Sequence, residues 1–405
     1  MNVEELVRET LREQAAAQPP ARAGFADRVL AARRRRRARR LASVAVAAAA
    51  VVAVAVGVPL LDSGKDDVRP AGVLDSGGVS AHPDQSPPRD LIAAGRTALA
   101  AYYTTKTVPL TADRGALVRT YRLLNPGTGR YEKDSRWSYA AVAPGLRTAA
   151  VLERALPASR IGLLDLGTGK VERWIPVRHG VGGLAFSRDG RKLVATTYKE
   201  NPDQCDRSTE QTSGDTICMP RFGARIRTGF AVLDVASGKG SWSAVSANRA
   251  VIGREDFAFS RDGARVFARV VGERDGTEQF YDLAGREAAA PADEKHLRWD
   301  VGARLSPDGT LAAWGLVKER RDRSYSAIVD PRTGRHITAV RGAELAAWAD
   351  NKRLIAWERM PGVKEYRPRL VLVTLGSEHV VPLSGFSEVN KFDSPQTWQP
   401  VFAER

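Results

Sequence analysis

From about residue 110 onward, short apolar runs alternate with tight turns, the pattern of paired strands rather than of helices. Four segments share an apolar strand, an Asp-Gly or Asp-Asn turn and a second apolar strand. They are LAFSRDGRKLVATT (184–197), FAFSRDGARVFARV (257–270), ARLSPDGTLAAWGL (303–316) and LAAWADNKRLIAWE (345–358), with a more worn copy in YAAVAPGLRTAAVL (139–152). The turns fall at Asp189-Gly190, Asp262-Gly263, Asp308-Gly309 and Asp350-Asn351, residues that accept the positive φ of a tight turn. A second hairpin interleaves with the first, with Asp165, Asp234, Asp282 and Asp330 opening its turns. The turn residues Gly145, Gly190, Gly263, Gly309 and Asn351 lie 45, 73, 46 and 42 positions apart, and the long interval holds a polar insertion at 199–225. Two hairpins per period give four-stranded units. Repeated radially, such units predict an all-β, six-bladed β-propeller over 99–405, closed by pairing a strand near 104–110 with 396–403.

The first hundred residues read differently. Val3, Leu6, Val7 and Leu11 recur at helical spacing between charged residues, so an isolated amphipathic helix here needs a partner surface, protein or lipid. Residues 41–61 carry no charge. At about 1.5 Å per residue they match a hydrocarbon core of about 30 Å, which predicts a transmembrane helix. A cleaved signal peptide ending near Ala53-Val54-Ala55 is the rival, and a buried helix a third reading. Residues 62–98 are rich in Gly, Pro, Ser and Asp and read as a flexible linker. Within its end, DLIAAGRTALAAYY (90–103) is compatible with one helix leading into the folded domain.

Charge sharpens this division. The chain of 405 residues has a formal net charge of +15 and a pI near 10.1, which first suggests nucleic acid or an anionic membrane. Residues 1–40 hold eleven Arg against five acids, and seven of the Arg (Arg33, Arg34, Arg35, Arg36, Arg37, Arg39 and Arg40) directly precede the uncharged run. A basic run beside an apolar span is a topology determinant that also meets lipid headgroups. It predicts an N-in, C-out single-pass protein of a bacterial membrane, with the propeller outside the cytoplasm and no nucleic-acid partner.

Candidate chemistry is sparse. GTGK (167–170) and SGKGS (237–241) lack the spacing of a phosphate loop and recur at equivalent hairpin turns. The repeated Asp residues each offer one carboxylate per short turn, where calcium takes six to eight oxygens. His82, His179, His296, His336 and His379 never approach metal-ligand spacing. No catalytic, cofactor-binding or metal-ligating set is assigned, and a non-enzyme is expected. Cys205 and Cys218 share the insertion, on the side expected outside, where disulfides persist, so they are disulfide candidates with free thiols as the alternative. Among the eight tryptophans, Trp348 takes the slot of Phe186 and Phe259 and is expected in the core.

The repeat Phe186-Ser187-Arg188-Asp189-Gly190, Phe259-Ser260-Arg261-Asp262-Gly263 and Leu305-Ser306-Pro307-Asp308-Gly309, followed by the Asp-x-x-Thr-Gly-Lys type of turn, resembles the TolB-like (PD40) propeller family over roughly 110–400. It resembles WD40 repeats more loosely. The resemblance implies a six-bladed architecture; it does not imply a function, because propellers host binders, scaffolds and enzymes alike. The expected function is thus a membrane-anchored, non-catalytic binding, scaffold or sensor module for an extracytoplasmic protein or envelope ligand. The short cytosolic segment, single span and outer domain also resemble membrane-bound anti-sigma factors in layout, with residues 1–40 docking a cytosolic partner such as a sigma factor. That segment has no His or Cys for the zinc-binding pattern of the family's zinc-containing members. A third reading is an enzyme with an unrecognised site in the propeller channel.

Overall fold

A computed structural model describes residues 77–209, 216–219, 221–222, 225–247, 251–252, 254–270, 276–320, 323–363, 367–387 and 398–405. The chain divides into two units, 1–67 and 68–405, and every described residue belongs to the second. The described residues form strands, turns and loops without an α-helix.

Five larger sheets and one two-stranded ribbon make up the fold. The first has eight strands. Val79–Ser80, Ala93–Ala94, Thr97–Pro109, Arg114–Asn125, Gln204–Thr209 and Thr216–Met219 follow one another, with Arg130–Asp134 on Arg114–Asn125 and Gln399–Glu404 on Thr97–Pro109. The second has seven, running from Gly240–Ala244 through Arg227–Asp234, Lys192–Tyr198, Lys170–Phe186, Ala158–Asp165 and Thr148–Glu153 to Trp137–Val142. Sheets of four, three and four strands start at Ala258–Phe259, Ala312–Glu319 and Glu344–Trp348. The ladders between strands are antiparallel, and the chain's last strand sets Gln399 opposite Tyr103 and Glu404 opposite Thr97.

The apolar faces meet between sheets. Ile92, Leu99, Tyr102, Trp357, Leu370, Leu372 and Trp398 form one such core, and Phe230, Phe257, Phe259, Val266 and Tyr281 another. Strand Lys192–Tyr198 is buried on both sides after its first residue, as expected of a run without polar alternation at the centre of a sheet. Trp348 is buried and donates from Nε1 to the carbonyl of Arg304 at 3.2 Å.

The six alike, four-stranded blades expected from the repeat are corrected by this topology. Strand Lys170–Phe186 runs for 17 residues from the second hairpin of one repeat into the first hairpin of the next, fusing two units into the seven-stranded sheet. The insertion adds its own hairpin to Arg114–Asn125 and enlarges the first sheet to eight. In the third repeat the leading strand shrinks to a single bridge, Leu305 to Ala312, leaving three strands. Among the described residues the sheets are open and none closes on itself. The helix envisaged over 90–103 is replaced by Thr97–Pro109, whose pairing to both Arg114–Asn125 and Gln399–Glu404 overrides the helix propensity of its Ala and Leu residues. The fold also begins before residue 99, since Ile92, Ala93 and Ala94 are fully buried.

The span at 41–61, the basic run Arg33–Arg40 and the helical face of Val3, Leu6, Val7 and Leu11 lie outside the described residues. Among the described residues no helix is long and apolar enough to cross a membrane. The expectation of a closed six-bladed propeller is corrected, among the described residues, to an all-β assembly of open sheets. The single-pass topology, the envelope location, and the membrane and cytosolic partners rest on residues outside the described ones, and the described fold gives them, and the sensor and anti-sigma-like functions built on them, no support.

Candidate functional site

The three Ser-x-Asp-Gly turns fold alike. In each, the serine Oγ lies 2.6 Å from the aspartate Oδ1: Ser187 with Asp189, Ser260 with Asp262, Ser306 with Asp308. Each aspartate also accepts the backbone N–H two residues on, from Arg191, Ala264 and Thr310. Gly190, Gly263 and Gly309 take the positive φ that closes the turn. These bonds favour the ionised aspartate: the Ser187 hydroxyl above all holds Asp189 below its usual value, and the Ser306 hydroxyl does the same for Asp308. The fourth turn differs. Asp350 accepts Lys352 N–H at 2.8 Å, but Asn351 is not among the positive-φ residues; its side chain instead accepts Asp308 N–H at 3.0 Å.

Identical turns present the residue between Ser and Asp in the same way, and that residue is Arg188, Arg261 or Pro307. The three converge. Arg261 Nη2 donates to the Pro307 carbonyl at 2.5 Å and its Nη1 to the Ser306 carbonyl at 3.0 Å. Arg188 Nη2 reaches the same Pro307 oxygen at 3.4 Å. Gly309 makes room for this crossing, since a Cβ there would stand 2.3 Å from Arg261 Nη1. Glu404, on the last strand, places one carboxylate oxygen 3.3 Å from Arg188 Nε and the other 3.1 Å from Arg96 Nη2.

These residues line a cavity of about 470 Å³, with Trp348, Phe259, Phe402 and Arg304 in its wall. Arg304 holds a rare positive φ of 46° and is tied by its guanidinium to Glu278 and, at 2.9 Å, to Glu294. Its charge is thus met by two carboxylates. Glu404 is divided between Arg96 and Arg188, and the Arg261 guanidinium meets backbone carbonyls and, among the described residues, no carboxylate. Arg96, Arg188, Arg261 and Arg304 thus stand against Glu278, Glu294 and Glu404, an excess of one positive charge in a concave site, on the side of Arg261.

A second lobe of about 560 Å³ shares Arg188, Pro400, Phe402, Ala403 and Glu404 with the first, and adds Tyr103, Tyr121, Tyr139, Arg119, Arg254 and Asp256. Here the charges are balanced. Asp203 accepts from Arg119 Nη1 at 2.7 Å and Nη2 at 3.1 Å, and from Arg254 Nε at 2.5 Å and Nη2 at 2.7 Å. Arg254 also donates to Asp256 at 3.1 Å, whose other oxygen accepts the Tyr198 hydroxyl at 2.8 Å. Burial opposes ionisation of Asp203, yet Arg254 and then Arg119 hold its carboxyl below the usual range. Burial pushes the Tyr121 and Tyr139 hydroxyls up, so both remain neutral.

Asp203 opens the insertion, and Cys205 and Cys218 form a disulfide two residues further on, with Cα atoms 5.3 Å apart. The bond staples Gln204–Thr209 to Thr216–Met219, while Gln204 to Asp206 pair with Ala116 to Arg114. The turn aspartates Asp165, Asp234, Asp282 and Asp330 accept N–H bonds within their own turns, and His179 stacks on Trp242 with centroids 3.9 Å apart. Among the described residues no three His, Cys, Asp or Glu side chains gather as a metal cage.

Sequence reasoning passed over Arg188 and Arg261 as filler in the repeat. The available signal was positional: one slot, otherwise unconstrained by turn chemistry, carries Arg twice. For Arg119, Asp203 and Arg254 no local signal exists, because the partners are 84 and 51 residues apart.

No family model matches the chain, and no curated protein matches it. Similar solved structures include TolB from Acinetobacter baumannii, at 15% identity and a TM-score of 0.40, covering 76% of this chain and 67% of that one. They also include hydrazine synthase from Kuenenia stuttgartiensis, at 14% identity and a TM-score of 0.35, covering 61% and 65%. The tricorn protease is a third, at 14% and 0.35, covering 73% of this chain and 31% of that one. Likenesses this distant carry no argument about what the chain binds or does.

Proposed function

We propose that this domain is a non-catalytic binding protein that recognises an anionic ligand in the two-lobed cavity. One observation carries the reading: Arg188 and Arg261, from equivalent turns, converge on a single carbonyl oxygen, with no carboxylate on the Arg261 guanidinium among the described residues. An anion bridging both guanidiniums gains charge-assisted, geometrically fixed hydrogen bonds that a carbonyl dipole supplies only in part. Binding rather than turnover is favoured because Asp256 is committed to Arg254 and Glu404 to Arg96 and Arg188, while Glu294, pushed up by burial, is enclosed and bonded to Arg304 and the Arg261 N–H. A general acid or base needs a carboxyl free to exchange its proton near neutral pH.

The test is thermal unfolding of the protein with and without inorganic phosphate, citrate or succinate at constant ionic strength. At least one anion raises the midpoint, and Arg188→Gln with Arg261→Gln removes most of that rise. If no anion stabilises the protein, or the double variant responds as fully as the native chain, the reading fails.

A further inference from the structure

Given that anion site, we propose that its ligand is a compact two-headed dianion of the dicarboxylate class, and that Glu404 is an internal competitor occupying one of the two head positions. The inference deepens the anion-site reading and rests on it. Arg188 is the shared centre. Its Nε edge faces Glu404 at 3.3 Å, and its Nη2 end faces the Pro307 carbonyl at 3.4 Å, where Arg261 also arrives. Arg96 flanks the first position, 3.1 Å from the other Glu404 oxygen. Two places for negative charge are thus set next to one another around one guanidinium. One is filled by a carboxylate of the chain itself; the other is served by a neutral carbonyl.

A short dicarboxylate such as succinate would set one head between Arg188 and Arg261 and the other in place of Glu404 between Arg96 and Arg188. The cavity of about 470 Å³ leaves room for such a molecule beside Phe402 and Trp348. Glu404 is a tethered group whose displacement breaks no strand. Its backbone is held independently, by pairing with Thr97 and by the Gly145 N–H donating to its carbonyl at 2.8 Å. Its carboxylate is about one-third exposed, so it can swing into water while the strand stays in register.

A competitor in place lowers apparent affinity by the fraction of time the site is blocked, and removing it restores the intrinsic value. Calorimetric titration of the full chain with succinate, with acetate as the one-headed control and inorganic phosphate as a compact anion with a single head, reads this directly. Glu404→Gln, which keeps size and strand, is expected to tighten succinate at least tenfold, about 1.4 kcal/mol. Acetate is expected to gain less. Glu404→Asp, which keeps the charge but shortens the reach, falls between. Arg188→Gln abolishes the gain in the Glu404→Gln background. Equal succinate affinity in native, Glu404→Gln and Glu404→Asp chains, with Arg188→Gln still weakening it, overturns the competitor while the anion site stands. Phosphate binding as tightly as succinate in the Glu404→Gln chain overturns the two-headed ligand. Absence of anion binding in every chain overturns the site itself.

Discussion

Replacing Asp203 with Ala tests how the insertion is joined to the cavity wall. The carboxylate accepts four N–H bonds from two guanidiniums, at 2.7 and 3.1 Å from Arg119 and at 2.5 and 2.7 Å from Arg254. The side chains are 4% exposed for Asp203, 9% for Arg119 and 17% for Arg254. Water therefore cannot replace the lost acceptor at low cost. Of its hydrogen bonds Arg119 would keep a 3.4 Å contact to the Ser138 carbonyl, beside its packing over the Tyr103 and Tyr139 rings, and Arg254 its bonds to Asp256 and Gly182. Removing one partner of a buried ion pair costs about 3–5 kcal/mol, because the other charge stays desolvated. Chains of about 150–250 residues lose roughly 2–4 °C per kcal/mol and longer ones less, so at about 2 °C per kcal/mol the midpoint should drop on the order of 6–10 °C. Urea unfolding at pH 7 should show the denaturation midpoint falling with an unchanged slope. Replacing the whole network together (Asp203→Leu, Arg119→Met, Arg254→Met, with Asp256→Asn so that no carboxylate loses its guanidinium) should regain most of the loss, as apolar substitutes for buried ion networks often do. The lowered carboxyl of Asp203 fixes the sign with pH: its contribution is full above the ordinary value near 4 and fades as pH falls through the folded value. A loss below about 1 kcal/mol at pH 7 would refute the reasoning, as would a quadruple variant no more stable than the single one.

Three further outcomes are expected. Reducing the Cys205–Cys218 bond, or replacing both residues with Ser, should cost about 3 kcal/mol for a loop of this length, with hydrogen exchange rising first in 204–209; unchanged thermal stability under reductant contradicts this. The turn aspartates Asp165, Asp189, Asp308 and Asp330 are held below the usual carboxylate value chiefly by hydroxyl and N–H donors, so their contribution should be level from about pH 7 to 5 and decline below about pH 4, whereas Glu255, Glu294 and Glu344, pushed up by burial, add stability as pH falls toward about 5. A urea midpoint that rises toward pH 3 would show the sign to be wrong. Gly229→Ala would press a Cβ to 2.0 Å from the Ser243 carbonyl oxygen, whereas at Gly263 the space is open and only its φ of 65° opposes Ala. The first should therefore destabilise by about 2–3 kcal/mol or more and the second by about 1, and thermal unfolding in the reverse order would contradict the packing.

The local hairpins were legible because their chemistry is short-range. Serine, aspartate and glycine in Ser187-Arg188-Asp189-Gly190 satisfy one another within a few residues, so the sequence displays the turn. The partition into sheets was not legible, since it depends on where strands stop. Lys170–Phe186 contains Pro176, Gly180, Gly182 and Gly183, which read as breaks, yet pairing on both sides carries the strand through them with register shifts. Ala and Leu in 97–101 favour a helix in isolation, and the ladder to Gln399–Glu404, some 300 residues away, decides otherwise. The site follows the same division. The repeat exposed the slots of Arg188, Arg261 and Pro307 but not the direction in which the turns point. Asp203 looked like one acid in a polar insertion until folding set two distant arginines around it.

The central claim is that Arg188 and Arg261 form an anion site. Anomalous diffraction from crystals of the native chain and of the Arg188→Gln, Arg261→Gln variant, equilibrated with the same millimolar selenate, tests it most directly. A selenium peak within hydrogen-bonding distance of both guanidiniums in the native chain, and missing from the variant, is the predicted result. No peak in the cavity, or one that persists when both arginines are gone, would contradict the account.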